Sequence, residues 1–171
     1  VALVSQKAEL FSDTVKDNVT FGKNDATDED VKNAISIAQA EEFVSKLENK
    51  ENHMIAERGN NLSGGQKQMI SIARTILSDA EVLLFDDITT SLDPDTAKFV
   101  PKLIDNLKKD HTIIMITKKP ELMKTADKIV VLDHGKINDI GTHKQLIQTN
   151  EIYQMLQSRK SPSKIGVFDN V

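Results

Sequence analysis

A serine followed by two glycines at the start of a helical pattern, Ser63-Gly64-Gly65, is the part of the sequence best suited to chemistry. Glycine has no side chain, so a ligand can approach the backbone N–H groups directly. These groups have no acceptor within the helix, and the helix dipole adds roughly half a positive charge there. The pattern therefore predicts an anion site, most simply for phosphate. Taken alone, two glycines before a helix are equally consistent with a flexible cap.

Two adjacent carboxylates are the second candidate. Asp86 and Asp87 end an apolar run at residues 82–85, and another β-rich run follows at 112–117 after a helical pattern. This order of strand, helix and strand predicts a parallel α/β sheet, which binds ligands at the carboxyl ends of its strands. Carboxylates at that edge are oxygen ligands of the kind that Mg²⁺ prefers. A solvated turn at the end of the strand is the alternative interpretation.

Helices and a hairpin are predicted around these candidates. The helix between the two strands is expected at residues 94–109, with Asp93 as its N-cap and Pro94 in its first turn. A strand at 128–133 is expected to turn at His134-Gly135 into a hairpin strand at 136–140. Other helical patterns occupy residues 28–38, 41–47, 65–78 and the stretch after Gly141-Thr142.

Composition narrows the function further. A chain of 171 residues has the length of one domain, and without cysteine it has neither disulfides nor thiolate metal sites. Its 22 basic and 26 acidic residues give a net charge of −4, which argues against nucleic acid as the main ligand. Its purely apolar runs are far shorter than the roughly 20 residues that cross a bilayer. Because the chain opens on Val1 in an apolar stretch, we expect it to be part of a longer protein.

The pentapeptide Leu62-Ser63-Gly64-Gly65-Gln66 resembles the signature sequence of ATP-binding cassette (ABC) ATPases, and further segments resemble other motifs of this family in the family's order. The start of the chain resembles the Q-loop with Gln6 as its glutamine, and Ala56-Glu57-Arg58-Gly59 resembles the X-loop of exporters. Residues 82–87 are similar to Walker B, Ser91-Leu92-Asp93 to the D-loop, and residues 141–153 to the exporter-type carboxyl end.

The resemblance implies a P-loop NTPase-like α/β fold with an inserted helical subdomain. It implies a Q-loop segment at residues 1–22, the helical subdomain at 23–80, a RecA-like core part at 81–157 and a flexible tail at 158–171. It also implies ATP and Mg²⁺ as cofactors, with Asp86 and Gln6 as magnesium ligands. The residues expected to bind nucleotide are Ser63, Gly64, Gly65, Gln66, Gln6 and Asp93.

One motif of the family, the phosphate loop Walker A, is missing from these residues. The spacing from Gly59 to Gly64 imitates half of its pattern, but Gly65-Gln66 stands where lysine and serine or threonine are required. Family architecture places that loop upstream of the Q-loop. We therefore expect an incomplete fold that does not bind ATP tightly by itself.

Two positions depart from the family's catalytic pattern. Asp87 stands where the catalytic glutamate is usual, which shortens the reach of the base by about one C–C bond. Lys118 stands at the switch-loop position, where the family has a histidine. An ammonium group is a donor only, whereas imidazole offers a donor and an acceptor. Both changes predict slow hydrolysis at the chain's own site.

In ABC dimers, each ATP lies between Walker A and B of one subunit and the signature and D-loop of the other. The resemblance therefore implies two partners, a second nucleotide-binding domain and the transmembrane domain of the same transporter, at the cytoplasmic face of the cell membrane. The intact signature beside altered catalytic positions favours the degenerate half of a heterodimeric exporter. The alternatives are an ABC-type ATPase without a membrane domain that acts on nucleic acid or ribosomes, and a purely structural module. The transported molecule is not identified by these residues.

Overall fold

The computed structural model describes residues 1–23, 25–78 and 80–158. Contacts divide the chain into two compact units, Val1–Ile116 and a second unit that starts at Thr117. Of the tail predicted at 158–171, residues 159–171 lie outside the described part of the chain.

The first unit is built on a parallel sheet of three strands. They lie in the order β1 (Ala2–Val4), β2 (Val82–Asp86) and β3 (Thr112–Ile116). The two later strands match the predicted runs and confirm the parallel arrangement. Sequence periodicity missed β1, because three residues are too few to show an alternating pattern.

The two faces of this sheet differ in burial. Val4, Leu83 and Phe85 on one face are at most 1% exposed, and α4 (Gly64–Leu77) packs against β1 on the buried side. On the other face, Leu3 and Ile116 are 58% and 63% exposed. Parallel sheets are normally covered by other elements on both faces, so we expect a further layer of protein to pack against this exposed apolar face.

The first unit also contains several short helices. The pattern at 28–38 forms α2, and Thr27 begins it with a capping box to Asp30, as the sequence predicts. Both α1 and α2 pack against α4, whose Ile70, Ile72 and Ala73 are fully buried. The bounds are α1 Val15–Thr20, α2 Asp28–Ile37, α3 Glu41–Ser45, α4 Gly64–Leu77 and α5 Val100–Leu107.

The helix expected at residues 94–109 is shorter than predicted. A 3₁₀ turn occupies Thr96–Phe99, and the α-helix begins only at Val100. Pro101 explains the difference, because it has no N–H to donate to the carbonyl four residues earlier. The prediction of Asp93 as N-cap is wrong, because Asp95 precedes the 3₁₀ turn and Phe99 precedes α5; Asp93 instead accepts hydrogen bonds from the N–H groups of Asp95 and Thr96 in the turn before them.

The second unit contains the predicted hairpin. Strands β4 (Ile129–Asp133) and β5 (Lys136–Gly141) are antiparallel, and His134 and Gly135 between them have φ of 46° and 75°. Two residues with positive φ are the geometry of a type I′ turn, which confirms the prediction. Up to residue 158, where the described part of the chain ends, the unit also contains α6 Pro120–Met123, α7 His143–Thr149 and α8 Glu151–Ser158.

Apolar residues of the second unit gather in a separate small core. Met123, Val131, Leu146 and Tyr153 are buried together. Within the residues that the structure describes, none of the helices is long and apolar enough to cross a membrane.

Candidate nucleotide site

The N-terminus of α4 is closed by two reciprocal hydrogen bonds. Ser63 Oγ accepts from the Gln66 N–H at 3.2 Å, and Gln66 Oε1 accepts from the Ser63 N–H at 2.8 Å. This capping box leaves the N–H groups of Gly64 and Gly65 outside the hydrogen-bond ladder of the helix. Ser63 and Gly64 are exposed, so the turn offers these donors and the Ser63 hydroxyl proton to a ligand. Because α4 has 14 residues, its dipole adds positive potential at the same place.

The predicted D-loop packs against the two glycines. A Cβ atom at Gly65 would lie 3.4 Å from the carbonyl oxygen of Ser91, and one at Gly64 would lie 3.9 Å from it. The backbone of the D-loop therefore lies within van der Waals contact of a side chain placed at Gly65. The sequence brings the signature and the D-loop together only through the family resemblance, whereas the structure shows the contact directly.

The D-loop carboxylate is exposed and ionised. Asp93 accepts from Thr96 Oγ1 and from the N–H groups of Thr96 and Asp95, and these bonds hold its pKa below the ordinary value. Its charge therefore lies at the surface near the signature turn (Ser63–Gln66), and its hydrogen bonds hold the start of the 3₁₀ turn that follows.

A cavity of about 500 Å³ is lined by the start of α4, by residues 39–46 around α3 and by residues 93–99. Ser63, Gly65 and Gln66 line it on one side and Asp93 on another. Phe43 and Phe99 add aromatic walls. Four of the predicted nucleotide-binding residues therefore share one concave surface.

The predicted magnesium ligands lie at a different edge. Val4 of β1 pairs with Phe85 of the adjacent parallel strand β2. Gln6 comes two residues after the end of β1, and Asp86 is the last residue of β2, so both lie at the carboxyl ends of these strands. Gln6 is exposed and Asp86 is half-buried. Among the described residues, no three His, Cys, Asp or Glu side chains lie close enough to hold a metal. A magnesium ion at Asp86 would therefore need most of its oxygen ligands from bound phosphates and water.

The two altered catalytic positions are placed differently. Asp87 follows β2 with φ of 45°, and its N–H donates to the Ile116 carbonyl at 2.9 Å. Aspartate tolerates this left-handed conformation better than most residues. Lys118 is exposed, belongs to the second unit and follows β3 by two residues.

A guanidinium group that the sequence analysis did not single out joins α4 to the segment after Gln6. Arg74 donates to the Asn18 carbonyl at 2.7 Å, to Asn18 Oδ1 at 2.8 Å and to the Glu9 carbonyl at 3.1 Å. Burial lowers the pKa of Arg74, and three oxygen acceptors compensate its charge. In the sequence, the only indication of this contact is a charged residue, Arg74, next to the apolar positions Ala73 and Leu77 of the predicted helix.

The comparisons with known proteins agree with this geometry. The sequence model of the ABC transporter family matches residues 1–90. The chain belongs to the ABC transporter family. It is 38% identical over 156 residues to the ATP-dependent lipid A-core flippase of Vibrio vulnificus (strain CMCP6), covering 91% of this chain and 27% of that protein. It is also 38% identical over 164 residues to ABC transporter B family member 1 of Dictyostelium discoideum, covering 95% of this chain and 18% of that protein.

A solved structure shows the same fold. The nucleotide-binding part of a bacterial Atm1-family ABC exporter with ATP bound superposes with a TM-score of 0.87 at 31% identity, over 92% of this chain and 28% of that one. These matches confirm an ABC nucleotide-binding domain of exporter type with a P-loop NTPase-like α/β fold. The chain spans about a quarter or less of the length of the curated relatives described above.

Proposed function

We propose that this chain is part of the ATP-driven motor of an exporter, in which its signature turn completes an ATP site on a second nucleotide-binding domain. The observation that carries the proposal is the complete donor surface at α4. Ser63 and Gly64 are exposed, Ser63 and Gly65 line the cavity beside Asp93, and the N–H groups of the two glycines precede the hydrogen-bond ladder of α4. No loop G-x-x-x-x-G-K-[ST] occurs in the 171 residues, so the phosphate would be held by another part of the transporter.

In this proposal, residues of this chain stabilise the charge of the bound nucleotide and hold its magnesium ion. Donors at Ser63, Gly64 and Gly65 stabilise negative charge on the terminal phosphate as the bond to it breaks. When bound, ATP supplies the phosphoanhydride bond, and Mg²⁺ neutralises phosphate charge. At the carboxyl ends of β1 and β2, Gln6 and Asp86 would hold a second magnesium ion for the chain's own nucleotide, without a strong base beside it.

The chain's own site hydrolyses ATP slowly in this proposal. Asp87 is one methylene shorter than the family's glutamate, and Lys118 cannot accept a proton or a hydrogen bond when charged. The proposal therefore assigns hydrolysis to the partner's site in a heterodimer, at the cytoplasmic face of a membrane.

A transmembrane partner fits the surface next to Gln6. Phe11 and Phe21 are 48% and 59% exposed, their ring centroids are 4.5 Å apart, and the Arg74 guanidinium lies 5.2 Å from the centre of the Phe11 ring. An exposed aromatic pair is typical of a contact surface. We assign this surface, with the helices between Asp28 and Leu47, to the loops of the membrane domain.

ATPase measurements on the purified full heterodimer test the proposal. Ser63→Ala should reduce turnover by about 10²- to 10³-fold, the cost of removing one preorganised donor. Asp87→Asn should change turnover by less than about twofold, because a weak base is being removed from a slow site.

Thr142→Ala is the matched control. Thr142 forms the same kind of capping box with Gln145 that Ser63 forms with Gln66, but it precedes α7. Loss of the cap costs about 1 kcal/mol in both variants. Turnover in Thr142→Ala should therefore stay near the wild-type value. Abolished turnover in Asp87→Asn would contradict the assignment of hydrolysis to the partner's site.

A further inference from the structure

A glutamine on the signature helix reaches the Q-loop. Gln68 lies on α4 just after the signature, and its side chain is fully buried. Its Nε2 donates to the carbonyl oxygen of Ser5 at 3.1 Å. Ser5 directly precedes Gln6, so this bond joins the signature helix to the backbone of the predicted Q-loop.

The hydrogen bonding of Gln68 is one-sided. Its Oε1 is buried and has no hydrogen-bond partner among the residues that the structure describes. An unpaired buried acceptor destabilises a fold, and an apolar side chain of similar size would avoid that cost. Packing alone therefore does not explain glutamine at this position. Its distinguishing contribution is the amide donor toward Ser5.

The next carbonyl along the chain is held by the D-loop. Ser91 Oγ donates to the Gln6 carbonyl oxygen at 3.1 Å. Two consecutive carbonyls of the Q-loop are therefore bound by side chains of two other motifs, Gln68 from α4 and Ser91 from the D-loop. Because Ser91 also packs against Gly65, the contacts form a closed loop around the signature turn.

From this geometry we infer that Gln68 is a positioning residue that keeps the signature turn and the Q-loop in a fixed relation. It acts through the Ser5 carbonyl and touches no nucleotide. A displacement of the Q-loop then moves α4, and with it the donors at Ser63 and Gly65. The inference rests on the proposed function, because those donors act on ATP held by the partner domain.

The test uses the complete heterodimer with a spin label on a cysteine introduced at Lys7, in a background without other cysteines. Lys7 is exposed and follows Gln6. Gln68→Met keeps the size and flexibility of the side chain and removes the amide. The mobile fraction of the label should rise by about fivefold, the equilibrium factor of one neutral hydrogen bond. Gln68→Asn, which is too short to reach Ser5, should give the same change and serves if the first variant folds poorly.

Steady-state ATPase kinetics give the second measurement. The inference expects kcat to fall by about fivefold in Gln68→Met while KM for ATP stays within about twofold, since the loss affects the transition state and not nucleotide binding. Thr75→Val is the matched control, because Thr75 is a buried polar residue two turns further along α4. It should change neither the label mobility nor kcat.

The two proposals fail in different ways. Unchanged label mobility in both Gln68 variants, while Ser63→Ala still abolishes turnover, would overturn the role of Gln68 alone. Increased mobility in Gln68→Met, in a heterodimer whose turnover does not depend on Ser63, would overturn the proposed function alone. An equal loss in Thr75→Val would show that general destabilisation of α4 is responsible.

Discussion

The two regions of the chain that we propose for phosphate chemistry differ in completeness. At the signature turn, the capping box, the two glycines and the D-loop contact are all present within the first unit. At the carboxyl edge of the sheet, Asp86 and Gln6 stand without a phosphate loop, beside an exposed apolar face. The hydrogen-bond donors of the signature turn need only one helix and one loop. A site that holds the nucleotide itself also needs the phosphate loop, which the family has on a central strand of the sheet.

The same difference appears in the backbone. The first helical turn of α4 is closed by side chains of its own segment, Ser63 and Gln66. Asp87, in contrast, has a left-handed backbone and is fixed by the carbonyl of a neighbouring strand. Because the sheet sets the position of Asp87, a change in side-chain length cannot be absorbed locally. In the proposed function, the shorter carboxylate would therefore stay further from the attacking water than a glutamate.

Restoring the family's catalytic residues should produce the largest effect. In a heterodimer whose partner site is silenced by Ser63→Ala, the double change Asp87→Glu and Lys118→His should raise turnover by about 10²- to 10⁴-fold, the usual contribution of a well-placed base. The measurement is phosphate release at saturating ATP. Glutamate in the left-handed conformation at position 87 should also lower stability by on the order of 1 kcal/mol.

The single changes provide the control for this restoration. Lys118→His alone should leave turnover low, because the carboxylate remains too short. A double variant as slow as Ser63→Ala would show that the carboxyl edge is limited by something other than these two residues, which would weaken the comparison between the two surfaces.

Removing the guanidinium group of Arg74, which joins α4 to the segment after Gln6, should give the next largest effect, a loss of stability. Arg74→Ala leaves the carbonyls of Asn18 and Glu9 without their charged donor, which should cost about 3 kcal/mol. In a domain of this size, that loss lowers the Tm by about 6 to 12 °C. Differential scanning calorimetry of the purified transporter measures it.

Two further substitutions separate charge from packing at this position. Arg74→Met keeps an apolar stem and should lose nearly as much stability as Arg74→Ala. Arg74→Lys should recover about 1 kcal/mol, because an ammonium group lacks the planar fork that reaches Asn18 and Glu9 together. Equal stability of the lysine variant and the wild type would show that charge alone is sufficient.

The sequence predicted those features that depend on neighbouring residues in the chain. The capping pattern at Thr27, the strand ending at Asp86 and the turn at His134-Gly135 depend on neighbours a few residues away, and the structure confirms each. The late start of α5 was also encoded locally, in Pro101, but the apolar periodicity outweighed that signal.

Contacts between distant segments could not be predicted in the same way. The bond from Gln68 to Ser5 spans 63 positions, and the bonds from Arg74 to Asn18 and Glu9 span 56 and 65. A polar residue on a buried helix face indicates that a partner exists, but the sequence does not say which carbonyl it meets. Only the family resemblance placed the signature and the D-loop at one site, and the roles of those residues stay predictions.

The smallest expected effect is a difference in how the stability of two capping boxes depends on pH. The box of α2 depends on Asp30, whereas the box of α4 depends on the uncharged Gln66. Hydrogen bonds from the Thr27 N–H and hydroxyl lower the pKa of Asp30. Because the folded pKa lies below the unfolded one, the cap contributes fully above the ordinary value of 3.8 and weakens as pH falls through the lowered value. Amide exchange in the first turn of α2 should therefore accelerate, after correction for intrinsic rates, as pH falls toward and below that value.

The signature turn should show no such acceleration, because Gln66 does not titrate and Ser63 carries no charge. Thr27→Ala supplies the control, since it should remove the pH dependence in α2 and leave α4 unchanged. If the first turn of α4 opened in parallel with α2 on acidification, the donors at Ser63 and Gly65 would depend on the surrounding helices and not on their own capping box. The signature surface would then be as dependent on distant structure as the carboxyl edge of the sheet.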